Sequence, residues 1–216
     1  MLKFILLFLC ATALLVAQKI EQTPIDFGKI RIELTKSYIK EHYKLDVQDI
    51  SITPKIIFIH YTGIDDFKTS LSRFKSAILL TDRPDIVKAG IVNVSAHFMV
   101  ERDGTIHQLM PLDFMARHVI GLNYSSIGIE NVGGENHKEN LTVEQLISNI
   151  WLINYLKKEF DSLEYVAAHS EYPCFEKSPL WLEVDKSYRT EKKDPGSKFM
   201  KDLRANIKGF KVAPCD

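Results

Sequence analysis

Two apolar runs that each end in a histidine constrain this chain more than any other feature. Lys55 to Tyr61 follows Pro54 and is rich in isoleucine and aromatic residues, the pattern of a buried strand, and it carries His60 at its C-terminal end. Leu163 to Ala168 repeats the pattern and delivers His169. A polar side chain at such a point stands just outside a core, where a sheet ends and a site can open. A lone histidine in such a position is more often a hydrogen-bonded structural residue.

The segments around these runs alternate between helical and extended patterns. Phe67, Leu71, Phe74 and Ile78 recur every three or four positions and predict a helix over 65 to 80. A shorter helical pattern covers 36 to 45, with Tyr38, Ile39 and Tyr43 as its apolar residues. Ser95 to Val100 and Thr105 to Met110 flank Asp103-Gly104, a hairpin signal, and Ser126 to Val132 reads as a further strand. Thr142 and Gln145 make a capping box for a helix over 143 to 160, and 198 to 207 reads as a closing helix after a long loop, 170 to 193. Strands interleaved with helices, and one hairpin, imply an α/β (α+β) domain: a mixed central β-sheet flanked by helices.

Lys3 followed by an apolar run from Phe4 to Val16 and then Ala17 reads as a signal peptide over 1–17, too short to span a bilayer comfortably. The remaining chain divides into an N-terminal extension (18–53), a domain (54–210) and a C-terminal tail (211–216). Export places the protein in the periplasm or outside the cell, with no membrane span in the mature chain. Cys10 leaves with the signal, so Cys174 and Cys215 form one possible disulfide, the alternative being two thiols that never meet. Lys and Arg total 28 against 28 for Asp and Glu, which argues against nucleic acid or an anionic membrane as the partner and leaves a pocket for a small polar substrate. A monomer is expected.

A third polar element is Lys192-Lys193-Asp194-Pro195-Gly196, where a Pro-Gly turn would hold the Asp194 carboxylate in place. Two imidazoles and one carboxylate leave a tetrahedral zinc ion (Zn2+) with one open position, the arrangement of a hydrolytic site. These ligands lie far apart in sequence and fit none of the compact zinc-helix motifs.

The strings I-I-F-I-H-Y-T (56 to 62), S-A-H-F-M-V-E-R-D-G-T-I-H-Q-L-M-P (95 to 111), S-I-G-I-E (126 to 130), A-A-H-S (167 to 170) and K-x-D-P-G (192 to 196) occur in the order seen in type-2 N-acetylmuramoyl-L-alanine amidases. The chain resembles that family, which shares its fold with the peptidoglycan recognition proteins, from about Ile56 to Gly196. The resemblance implies zinc held by His60, His169 and Asp194, with Glu130 activating water. Lys192 is either the group that stabilises the developing oxyanion or part of a solvated run with Lys193 and Arg189. The reaction implied is hydrolysis of the amide joining N-acetylmuramic acid to L-alanine, in peptidoglycan or a muropeptide.

Tyr61, Arg117 and His118 are expected at the substrate pocket. Tyr61 lines the pocket or hydrogen-bonds the substrate carbonyl, or else is packed, and Arg117 stands where the family pattern has tryptophan. His97 and His107 read as structural; His42 and His137 read as surface residues. Tyr172, Cys174, Phe175, Trp181 and Tyr188 in the long loop suggest a sugar-stacking lid, or else aromatics folded back onto the domain. Two other readings share the resemblance: a module that binds peptidoglycan without cutting it, and a zinc peptidase acting on stem peptides. Glu130 together with all three ligands favours the amidase, because a binder has no need of all four.

Overall fold

A computed structural model describes residues 18–81 and 84–215; the signal-peptide reading of 1–17 lies outside them. Among the described residues, six strands form one sheet: β1 (Ile20–Gln22), β2 (Ile56–Tyr61), β3 (Phe98–Val100), β4 (Ile106–Gln108), β5 (Ser126–Asn131) and β6 (Tyr165–Ala168), in the spatial order β1-β4-β3-β5-β2-β6. Every neighbouring pair is parallel except β3 and β4, which form the Asp103-Gly104 hairpin. The sheet is therefore mixed, with helices packed on it. Ile56, Ile57, Phe58 and Ile59 in β2 are all fully buried, as expected of a central parallel strand covered on both faces.

The alternation of side chains along β2 decides what each face carries. Ile57 and Ile59 point to a core shared with Ile127, Ile129, Leu152, Ile153, Leu156 and Leu203, beneath α4 (Val143–Glu159) and α5 (Ser197–Asn206). Ile56 and Phe58 point the other way, toward Val119, Leu122, Tyr172 and Phe175. His60 continues that second row. The predicted capping box starts α4: the Thr142 hydroxyl accepts the Gln145 N–H at 3.1 Å, and Gln145 Oε1 accepts the Thr142 N–H at 2.9 Å.

Several elements differ from the sequence reading. The N-terminal helix, α1 (Lys29–Tyr43), begins seven residues before the predicted 36 because its first turns bury Arg31 and Thr35 rather than apolar residues. The Arg31 guanidinium donates to the carbonyls of Asp26 (2.5 Å), Phe74 (2.8 Å) and Ser76 (2.5 Å). The same contacts end α2 (Phe67–Lys75) early, since its last carbonyls are already satisfied, and Ile78 instead bridges to Val92. Residues 20 to 22, in the predicted N-terminal extension, add β1 to the sheet edge beside β4. A short helix, α3 (Pro84–Val87), interrupts the connection predicted over 81 to 93, and a 3-10 turn at His169–Phe175 opens the predicted long loop.

The C-terminal tail runs beside β6: Val166 N–H donates to Lys211 O at 3.2 Å, and Lys211 N–H to Glu164 O at 2.8 Å. Cys174 and Cys215 are joined as a disulfide, which ties the tail to the turn that carries His169.

Candidate metal centre and substrate cavity

The parallel register places the reactive side chains before any tertiary contact is considered. His60 on β2 pairs with Glu130 on β5, and Ile59 pairs with Ala168, the residue before His169 on the other side. All three therefore leave the C-terminal ends of adjacent parallel strands, with His60 in the middle. Ligand sites in sheets of this kind gather at those ends.

The imidazoles of His60 and His169 converge with the Asp194 carboxylate. Their two Nδ1 atoms lie 2.9 Å apart, His169 Nδ1 is 2.9 Å from Asp194 Oδ2, and His60 Nδ1 is 3.3 Å from the same oxygen. Ligand atoms in a tetrahedral site about 2.0–2.1 Å from the metal would stand about 3.3 Å from one another. The three atoms thus outline one face of such a tetrahedron. All three residues are buried, and they form a group able to hold a metal ion.

The electrostatics fit a cation there. Burial, then the neighbouring His169, lowers the pKa of His60 to about 4, so its ring is neutral at pH 7. Burial alone would raise the pKa of Asp194, but the two imidazoles outweigh it and hold the carboxyl well below the usual range. Lone pairs on two nitrogens and an anionic oxygen facing one another at these distances suit a divalent ion that takes nitrogen and oxygen ligands.

Local structure fixes Asp194. Its carbonyl accepts the Ser170 N–H at 3.1 Å, which links it to the segment of His169. After Pro195, Gly196 lies against the side chain of Glu139, whose Oε1 accepts the Ser197 N–H at 2.7 Å and so satisfies the start of α5.

A cavity of about 800 Å³ opens over the cluster. Its polar end is formed by His60, Tyr61, Glu130, His169, Lys192 and Asp194; its far end is formed by Leu79, Leu80, Ile86 and Val94. Glu130 is buried beside His60, and the charge of Lys192 contributes to the lowered pKa of His60. Tyr61 stands at the rim with its hydroxyl 3.0 Å from His137 Nδ1. His137, read as a mere surface residue, is exposed but belongs to the cavity wall; nothing in its polar stretch signalled this.

Arg117 lines the cavity, and its guanidinium is engaged within the protein. Its guanidinium donates to the carbonyls of Ile86 (2.8 Å), Ala89 (3.1 Å), Gly90 (3.0 Å) and Val92 (2.5 Å), and to the Tyr188 hydroxyl at 3.3 Å. It is buried as the anchor of the segment that forms the far wall. His118 has both ring nitrogens engaged within the protein, toward His60 and Ser126.

His42 is likewise corrected: it is buried, with Nδ1 2.9 Å from Glu183 Oε2 and Nε2 3.2 Å from Ala89 O. His97 and His107 are buried between strands and loops, as expected of structural residues. The aromatics of the long loop fold back onto the domain. Trp181 stacks on Tyr172 with centroids 6.1 Å apart, donates from Nε1 to Glu183 O at 3.1 Å, and is covered by Arg189 at 4.6 Å. Trp181 and Tyr172 thus follow the folded-back alternative, while Tyr188 of the same loop lines the cavity.

Residues 51–197 match the family model for N-acetylmuramoyl-L-alanine amidase. An endolysin of Klebsiella phage KP32 is 32% identical over 88 residues, which are 39% of this chain and 58% of that protein, so the chain spans less than two thirds of this relative. The fold is similar to that of the N-acetylmuramoyl-L-alanine amidase LysC from Clostridium intestinale, with a TM-score of 0.53 at 20% identity over 87% of this chain and 95% of that one. It is similar also to bumblebee PGRP-SA, with a TM-score of 0.53 at 17% identity over 92% and 99% of the two chains. The family match covers more than half of the chain and contains the whole histidine and aspartate cluster, and the protein therefore belongs to the N-acetylmuramoyl-L-alanine amidase family.

Proposed function

We propose that this chain is a zinc-dependent amidase that hydrolyses the bond between the lactyl group of N-acetylmuramic acid and L-alanine in peptidoglycan or muropeptides. The observation that carries the reading is the convergence of His60 Nδ1, His169 Nδ1 and Asp194 Oδ2 within 2.9 to 3.3 Å at the floor of the cavity. Zinc bound there would polarise the scissile carbonyl and lower the pKa of water to ~7.

Glu130 has the position and the chemistry of the proton carrier. Its carboxylate accepts a proton as water oxygen bonds to the carbonyl carbon, then gives it to the amide nitrogen as the C–N bond breaks. The products are the lactyl carboxylic acid and a stem peptide with a free L-alanine amine. Lys192 places a positive charge at the cavity's polar end, where the carbonyl oxygen becomes anionic. Tyr61, half-buried at the rim, orients the substrate carbonyl.

The Cys174–Cys215 disulfide supports an exported protein, acting where the wall polymer is. Mass spectrometry of a peptidoglycan digest tests the reading. A free lactyl carboxyl together with a released stem beginning at L-alanine is the expected result; shortened stems would make the protein a peptidase, and no product would make it a binding module.

A further inference from the structure

Behind the cluster of His60, His169 and Asp194 runs a chain of hydrogen bonds through His118 to Ser126. With a metal ion taking the Nδ1 lone pair that His60 turns toward His169 and Asp194, the His60 proton is on Nε2, 3.0 Å from Nδ1 of His118. His118 accepts there and carries its own proton on Nε2, 3.1 Å from Ser126 Oγ. Ser126 accepts that bond and donates its hydroxyl proton to the Leu122 carbonyl at 2.8 Å. With that assignment every donor in the chain meets an acceptor.

The surroundings hold the His118 ring where this chain needs it. Asn123 Oδ1 accepts the N–H groups of His118 and Val119, both at 2.8 Å, which fixes the backbone. Gly128 provides the space: a Cβ there would stand 2.8 Å from Cγ and Nδ1 of the ring. The rings of Phe58 and His97 close two further sides, with centroids 6.2 and 6.1 Å away.

We propose that His118, held by Ser126, is a positioning residue that sets the rotation and tautomer of His60 and thereby the metal affinity of the centre. The proposal rests on reading His60, His169 and Asp194 as a zinc site. An imidazole ligand whose distal N–H is fixed by a hydrogen-bond acceptor presents its ligating nitrogen without a conformational search, and outer partners of this kind typically change metal affinity by about 10–100-fold.

The experiment measures zinc uptake by the metal-free full chain, in competition with a chromophoric chelator, together with the visible spectrum of the cobalt-substituted protein. His118→Phe fills the same space without the acceptor and is expected to weaken zinc binding about 10–100-fold and to alter the cobalt spectrum. His118→Asn, which restores an acceptor near the place of Nδ1, should recover most of that loss. Ser126→Ala removes one hydroxyl and should give a smaller loss with unchanged thermal unfolding, so it decides the matter if His118→Phe fails to fold. Unchanged affinity and spectrum in the folded variants, with wild-type protein binding one zinc, would overturn the positioning role while leaving the zinc site intact. Wild-type protein that takes up no zinc would overturn the zinc reading itself.

Discussion

Gly134 lies directly under the ring of Tyr61: a Cβ at Gly134 would stand 2.3 Å from the Tyr61 Cγ, and its backbone φ of +78° is one that side chains disfavour. The ring at the cavity rim is thus seated on bare backbone. Gly134→Ala is expected to destabilise the fold by about 1–2 kcal/mol and to push the ring out of place. Tyr61→Phe keeps the ring and removes the hydroxyl, with its contact to His137 and its hydrogen bond to the substrate. Turnover on a muropeptide should fall further in Gly134→Ala than in Tyr61→Phe; the reverse order would mean that the hydroxyl matters and the seat does not.

The disulfide closes a loop of 41 residues in sequence separation, running from the turn after His169 through α5 to the tail. Cross-links of that span restrict the unfolded chain and typically contribute about 2–4 kcal/mol. Replacing both Cys174 and Cys215 by serine should lower the denaturant midpoint accordingly. Ala213 is buried against Phe175 and Tyr172 in one cluster, so the tail should also become more accessible to protease. A double variant with wild-type stability and wild-type proteolysis would show that packing alone retains the tail.

Much of the site was legible because local patterns create it. Apolar runs ending at His60 and His169 become parallel strands, and the register that aligns His60 with Glu130 follows from burying those runs side by side. The capping box at Thr142 was legible for the same reason, since its partners are three residues apart. What escaped depends on distant partners. Arg31 and Arg117 are buried because carbonyls 43 and 25 residues away receive their donors, and His42 because Glu183 lies 141 residues on. Local composition makes all three look like surface residues. A three-residue edge strand such as β1 has too little sequence to carry a period.

His97 gives the fold a pH dependence whose sign can be worked out. Its Nε2–H donates to Phe114 O at 2.9 Å and its Nδ1 accepts the Gly128 N–H at 3.1 Å, so only the neutral ring fits. Burial lowers its pKa to about 4, against 6.5 in an ordinary environment. Above pH 6.5 both folded and unfolded chains carry it neutral. Between 6.5 and about 4 the unfolded chain takes up a proton that the folded chain refuses, so stability falls as the pH falls, by up to roughly 3 kcal/mol. Urea unfolding of wild type and His97→Asn, both metal-free, should show a shallower pH slope in the variant over that window. Parallel slopes would remove His97 as the cause.

Asp194 and Glu130 both line the cavity but should fail in different ways when altered. Asp194→Ala removes one of three buried donors, leaving two imidazoles as an incomplete set, and should lose both bound zinc and activity. Glu130→Gln keeps the shape of a side chain that faces the cavity and removes its ability to take a proton, so zinc content should stay at the wild-type level while turnover drops about 10²–10⁴-fold. Treatment with a chelator should abolish wild-type activity, with recovery on added zinc, and should leave Glu130→Gln as inactive as before. Metal analysis beside kinetics on one muropeptide separates the two. If Glu130→Gln loses its zinc as well, the carboxylate supports the metal centre rather than moving the proton, and the assignment of the general base must pass to another group lining the cavity.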